Sequence, residues 1–227
     1  MKNCVGISCF LIAGVVLAAS CGGLRSSGSN NTSTSNNNNK TSVSTLQPSG
    51  DAREDVRKAL TALVVAKSFR AHLTNNGKSL MQIEFVAPDR FHTKSEANPE
   101  GRFSPPGEMI IIGKDTFFRA DGSWRKAPPG MSIGAMVDRF RQTDVEQEMT
   151  KYTGISYVGP DSLDGSPMLI YQYRKNDKEG QQTPGRMWIG ANDGQPYKFE
   201  YEGKGDSGSK MSVTYEYNAD IKIELPA

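Results

Sequence analysis

Apolar residues recur along this chain in two rhythms, and the change between them organises it. Val56, Leu60, Leu63 and Val64 return at helical spacing, with Val65 beside them and Asp51, Glu54 and Asp55 near the start. Acidic groups there favour the positive end of a helix dipole, so the spacing predicts one amphipathic helix over residues 52–67. Beyond it the period falls to two. Tyr197, Phe199 and Tyr201 alternate with Lys198 and Glu200, and Met211, Val213, Tyr215 and Tyr217 alternate with Ser212, Thr214 and Glu216, as in antiparallel strands with one covered and one wet face. Residues 109–112 are apolar throughout, which predicts a central strand covered on both sides.

Four dipeptides, Asn76-Gly77, Asp121-Gly122, Asp164-Gly165 and Asp193-Gly194, predict tight hairpins, because Asn or Asp followed by Gly tolerates the positive φ angles of a type I′ turn. They would pair residues 69–74 with 80–86, 116–120 with 123–126, 155–158 with 168–173, and 186–189 with 196–201. A looser turn through 203–209 leads to a strand over 211–217, and 221–225 is expected to close the chain as another. A second helix is predicted over 132–151, with Met136, Val137 and Phe140 on one side, Val145 and Met149 continuing it, and Pro128 and Pro129 leading in. The expected class is α+β: one strongly curved antiparallel sheet of about ten or eleven strands, with a helix before it and a helical insertion midway. A sheet of that size must curl or close, leaving a hollow to be filled by side chains, helices or a ligand.

Upstream of this lies a different kind of sequence. Lys2, an apolar run from Cys9 to Ala19 broken only by Gly14, and the small residues Ala18, Ala19 and Ser20 before Cys21 read as an export signal over residues 1–20. The segment resembles a bacterial lipobox, with Leu17 one place upstream of the usual leucine. Cys21 would then become a diacylated N-terminus anchoring the chain to a membrane, since two or more acyl chains hold where one is marginal. The run is too short for a comfortable membrane span. Residues 22–50 are almost wholly Ser, Asn, Thr and Gly, so residues 21–50 are expected to form a disordered tether with a reach on the order of 30 Å. The folded domain is expected over 51–227.

Without residues 1–20 the chain carries 26 Lys and Arg against 25 Asp and Glu, a balance that gives no reason to expect nucleic acid. Cys4 and Cys9 leave with the signal, so no disulfide is expected and stability must come from burial. Two scattered histidines make no ligand cluster, and no metal or cofactor is expected. Carboxylates such as Asp161 and Asp164 belong to turns. The string Gly205-Asp206-Ser207-Gly208 copies the letters around a protease nucleophile, with His72 or His92 upstream, but it sits in a Gly/Ser turn. The same turn matches a dinucleotide fingerprint in form, yet an alternating strand follows where a helix should open. No enzyme is expected.

Phe85-Val86-Ala87-Pro88-Asp89-Arg90-Phe91, Glu108-Met109-Ile110-Ile111-Ile112-Gly113, Trp124-Arg125-Lys126, Trp188-Ile189 with Asp193-Gly194-Gln195-Pro196, and Tyr217-Asn218-Ala219-Asp220-Ile221-Lys222-Ile223 with Pro226 resemble the LolA/LppX/LprG-like lipoprotein-carrier superfamily across the whole folded part. The resemblance implies an incomplete β-barrel with a helical lid, whose apolar hollow holds the acyl chains of a lipid, a lipoprotein or another amphiphile. It implies an exported protein of the cell envelope and no catalytic residues. Candidate lining residues, chosen as large or adaptable apolar side chains, are Ile83, Phe85, Ile111, Phe118, Met136, Phe140, Met168, Ile170 and Trp188. The same side chains could instead pack on one another as ordinary core. A second reading stays open: an interaction or envelope-sensor module that binds a protein partner on this fold, as relatives do in envelope-stress signalling.

Overall fold

In the computed structural model of the chain, residues 47–96, 107–128, 140–177, 180–202 and 209–226 are described. Cys21, the export signal, most of the tether, Met136 and the 203–208 turn with its serine string lie outside them.

Helix α1 spans Ala52–Val64. The Asp51 side chain accepts from the backbone N–H groups of Arg53 and Glu54, satisfying two donors that a helix start leaves unpaired. The helix ends short of the predicted residue 67, because Arg141 Nη1 takes the carbonyls of Val64 at 2.8 Å and Ala66 at 3.2 Å. Val56, Ala59, Leu60 and Leu63 form its buried stripe.

The strands are β1 (Ser68–Asn75), β2 (Lys78–Val86), β3 (Arg90–Ser95), β4 (Gly107–Ile112), β5 (Asp115–Ala120) and β6 (Ser123–Lys126), then β7 (Tyr152–Leu163), β8 (Ser166–Asn176), β9 (Gln182–Gly190), β10 (Pro196–Glu202) and β11 (Lys210–Tyr217). A short helix, α2 (Val145–Met149), precedes β7. All eleven strands form one antiparallel sheet in the order β6-β5-β4-β3-β2-β1-β11-β10-β9-β8-β7, open rather than closed into a barrel. It is built of two meanders, β1–β6 and β7–β11, joined where the first strand pairs with the last, Phe69 opposite Tyr217 and Asn75 opposite Met211.

Three of the four expected hairpins are two-residue turns with positive φ at both positions: Asn76-Gly77, Asp121-Gly122 and Asp164-Gly165. The fourth differs. Only Gly194 has positive φ there, and the turn is lengthened by Asp193, whose carboxylate takes the N–H of Gln195 at 3.0 Å. Residues 221–225 are not a strand; Arg90 Nη1 binds the Ile223 carbonyl at 2.6 Å and lays the tail against β3. The expected helix over 132–151 is interrupted, because Asp144 caps a fresh start, its Oδ1 accepting from the N–H groups of Glu146 and Gln147. Strand β4 is third from an edge rather than central, yet Ile110 and Ile111 are both buried on opposite faces.

The main core lies on the face covered by α1, here called inner. Cross-strand partners share a face, so the row Tyr217, Phe69, Phe85, Phe91, Ile111 points inward across five strands. Ring centroids of Phe85 lie 5.1 Å from Phe69, 4.7 Å from Phe91 and 5.6 Å from Phe140. The Phe85→Ala variant is expected to lose about 3–5 kcal/mol of stability, read as a lowered urea midpoint with an unchanged slope.

Candidate functional site on the inner face of the sheet

Strands β6 and β7 are the two edges of the sheet, so the chain between them must cross from one edge to the other. Phe140, near the end of that connection, lies on the inner face. Its ring lies 5.8 Å from Phe69, 5.6 Å from Phe85 and 6.1 Å from Phe91, at the middle of the inner face. The next residue, Arg141, stands 5.6 Å over the Phe85 ring while binding the end of α1. Helix α1 itself packs towards α2, β7 and β10. Arg53 fixes that contact by donating to the carbonyls of Tyr152 at 3.1 Å and Met149 at 2.8 Å, and Tyr171 donates its hydroxyl to Asp55 at 2.7 Å.

The middle of the inner face is thus filled by protein, and towards its β1–β5 end Ala71, Ile83 and Thr93 are still buried while other apolar side chains are only partly covered. The row Ala71, Ile83, Thr93, Met109, Phe118 crosses five strands there, flanked by Leu73 and Met81. Leu73, Met81 and Met109 are half-buried and Phe118 is 36% exposed. Leu73, Met81 and Met109 pack on the core with one side and leave the other free of it.

The residues expected to line one hollow divide between two faces. Ile83, Phe85, Ile111 and Phe118 face inward, Phe140 packs on Phe85, and Phe85 and Ile111 are fully buried in ordinary packing. Ile170 and Trp188 lie in the row Ile170, Trp188, Lys198, Thr214, His72, Gln82, Lys94, which is the outer face, and Met168 shares it two residues before Ile170. There the Trp188 indole donates to Asp161 at 2.9 Å, and the Lys198 ammonium sits 4.6 Å over its ring. The reason is visible in the sequence: Met168-Leu169-Ile170 and Met187-Trp188-Ile189 are unbroken apolar runs, so alternation cannot say which member turns inward. Leu73, Met81 and Met109 were not among the expected lining. The spacing of Leu73 after Phe69 and Ala71, and of Met81 before Ile83 and Phe85, carried the signal for two of them.

The opposite end of the inner face is polar. Lys175 is 5% exposed, 2.7 Å from Glu148 and 3.3 Å from the Tyr152 hydroxyl, with its ammonium 4.9 Å over the Tyr152 ring. Burial pushes the Glu148 carboxyl up, but Lys175 and Lys151 outweigh it and hold it below the ordinary value. Burial raises the Tyr152, Tyr173 and Tyr201 phenols far above theirs.

The outer face carries a chain of polar contacts over six strands: Glu216, Arg70, Glu84, His92, Glu108 and Arg119, with contacts of 2.8, 2.9, 3.1, 2.8 and 2.9 Å in that order. His92 is held between two carboxylates, and His72 is exposed. Among the described residues no three His, Cys, Asp or Glu side chains converge as a metal site, and no helix is long and apolar enough to cross a membrane.

Two predictions follow from the carboxylates. Glu84, Glu108 and Glu148 are all held below the ordinary 4.5, each by neighbouring cations that overcome burial. Their contribution to stability is therefore complete above about pH 4.5 and is lost as pH falls through the lower folded values, which a urea-midpoint titration from pH 6 to pH 3 will record. Glu148→Gln is expected to cost on the order of 3 kcal/mol by leaving the Lys175 ammonium buried without a counter-charge, and the further change Lys175→Met is expected to recover most of it.

No family model and no curated protein matches the sequence. Solved structures do. The Mycobacterium tuberculosis lipoprotein LppX superposes with a TM-score of 0.56 at 13% identity, covering 78% of this chain and 100% of its own. LprF from Mycobacterium bovis superposes with a TM-score of 0.58 at 16% identity, covering 79% of this chain and 99% of its own. The chain thus shares the fold of LppX and LprF, an open curved antiparallel sheet with a helix on its inner face.

Proposed function

We propose that the protein is a lipoprotein of the cell envelope, tethered through acylated Cys21, that binds a lipid or other amphiphile on the inner face of its sheet for transport or presentation. The observation that carries this reading is the half-buried apolar end of the inner face, where Leu73, Met81, Met109 and Phe118 are only partly covered. Apolar surface left open beside a rigid core favours an apolar guest, each buried methylene contributing about 0.8 kcal/mol. Two of the four are methionines, whose unbranched thioethers adapt to chains of varied shape. The segment through Phe140 and Arg141, packed on the inner face beside this surface, is the part whose movement would admit or release the guest. Nothing in this reading requires a chemical step; the driving force is exchange of water for protein around the acyl chains.

A photoactivatable phospholipid presented in vesicles to the full chain is expected to label peptides of β1–β2 and β4–β5, and Phe118→Glu to reduce that labelling severalfold while leaving the circular dichroism spectrum unchanged. Absence of label from those strands overturns the reading. Cys21→Ser is expected to move the protein from the membrane fraction to the soluble fraction without altering its fold, which fractionation followed by immunoblotting will decide.

A further inference from the structure

The outer face bears a second feature, independent of the inner-face reading. At the ends of β7–β11 lies a depression of about 660 Å³ with a mostly polar lining. Its cations and anions are unevenly matched. Arg174 on β8 and Arg186 on β9 both line it, and neither has an ion pair or hydrogen bond from its guanidinium among the described residues. In register Arg174 is opposite Pro184, and Gln172 is opposite Arg186, so the two arginines are diagonal neighbours on one face, roughly 7–8 Å apart at the backbone.

The acid in register with Arg186 is already engaged. Glu200 stands opposite Arg186, but its carboxylate is taken by Lys198 at 2.8 Å and Lys210 at 3.0 Å. Those ammonium groups overcome burial and hold it below the ordinary carboxylate value. Glu202, exposed at the end of β10, is the other carboxylate of the lining. On the β7–β9 side the lining has none among the described residues: Thr153, Gly154, Gln172 and Gln182 flank the two arginines. The floor is opened by a bulge in β7, where the pairing with β8 skips from Thr153 to Ser156 and Gly154 takes φ +59°. A Cβ on Gly154 would meet nothing within 4 Å, so ligand atoms could approach that backbone.

We propose that this depression binds a phosphate-bearing polar ligand, Arg174 and Arg186 gripping the phosphate oxygens and the neutral side chains of Gln172, Gln182 and Thr153 contacting the body that carries it. Two guanidinium forks match the charge and the planar donor geometry that a phosphate ester accepts, and the neutral lining suits a hydroxylated body such as glycerol or a sugar. The phosphate could belong to a soluble ester or to a lipid headgroup; the recognition chemistry is the same.

The test is phosphorus NMR of inorganic phosphate and glycerol 3-phosphate with the full chain. Saturable line broadening is expected, with Arg174→Gln and Arg186→Gln each weakening affinity about tenfold and the double variant abolishing it. Arg125→Gln, which removes an exposed cation from β6 at the far edge, is the charge control and should leave affinity unchanged. Competition by phosphatidylglycerol vesicles but not phosphatidylcholine vesicles assigns the phosphate to an anionic lipid headgroup; failure of both to compete assigns it to a soluble ester. The proposal is overturned if the unaltered chain shows no saturable broadening, if the double variant binds like it, or if Arg125→Gln weakens binding as much as the arginine variants do.

Discussion

The pairing of β1 with β11 is the constraint on which the rest of the molecule depends. Each half of the sheet is a meander of strands adjacent in sequence, so local pairing accounts for it. Joining the halves through their first and last strands places β6 and β7 at opposite edges of an eleven-stranded sheet. Of the chain between them, Phe140 and Arg141 pack on the inner face. One face is thus covered by α1, Phe140 and Arg141, while the other is mostly polar and buries apolar side chains only locally, at Ile110, Met168 and Trp188.

That asymmetry explains how charge and apolar surface are distributed. Inward positions of β1–β4 are aromatic and aliphatic, and the middle of that face interlocks Phe69, Phe85, Phe91 and Phe140. Outward positions of the same strands carry the ladder of Arg70, Glu84, His92 and Glu108, whose members contact one another across neighbouring strands. The two ends of the inner face differ as sharply. One keeps half-buried methionine, leucine and phenylalanine, and the other sequesters the Lys175–Glu148 pair among tyrosines. An amphiphile laid along such a face would meet apolar surface at one end of the sheet and polar groups at the other.

The outer face is not uniformly matched either. Around Trp188 it is closed by a hydrogen bond to Asp161 and by the Lys198 ammonium over the indole, so a large aromatic side chain is buried on the side away from the main core. Further along β8 and β9, Arg174 and Arg186 have no acid ion-paired with them among the described residues. Both regions depend on the same alternation. The residues that precede and follow these arginines in β8 and β9 point into the core and hold the strands in place beneath them.

Local sequence determined a good deal. Period-two alternation and the Asn-Gly and Asp-Gly dipeptides located most strands and three tight hairpins, and the spacing of Val56, Leu60 and Leu63 located α1, because these signals act within a few residues. Elsewhere the signal was absent or long-range. The run Met168-Leu169-Ile170 has no polar member to mark a face, so only the register with β9 and β10 could turn Ile170 outward beside Trp188. Helix 132–151 read as continuous because periodicity does not see a cap competing from Asp144, and residues 221–225 read as a strand because a carbonyl bound by Arg90 leaves no trace in composition. Which apolar residues stayed half-covered, and which arginines lacked an acid, were decided by strand order and register. Those are properties of residues more than a hundred positions apart, such as Phe69 and Tyr217, and no local rule encodes them.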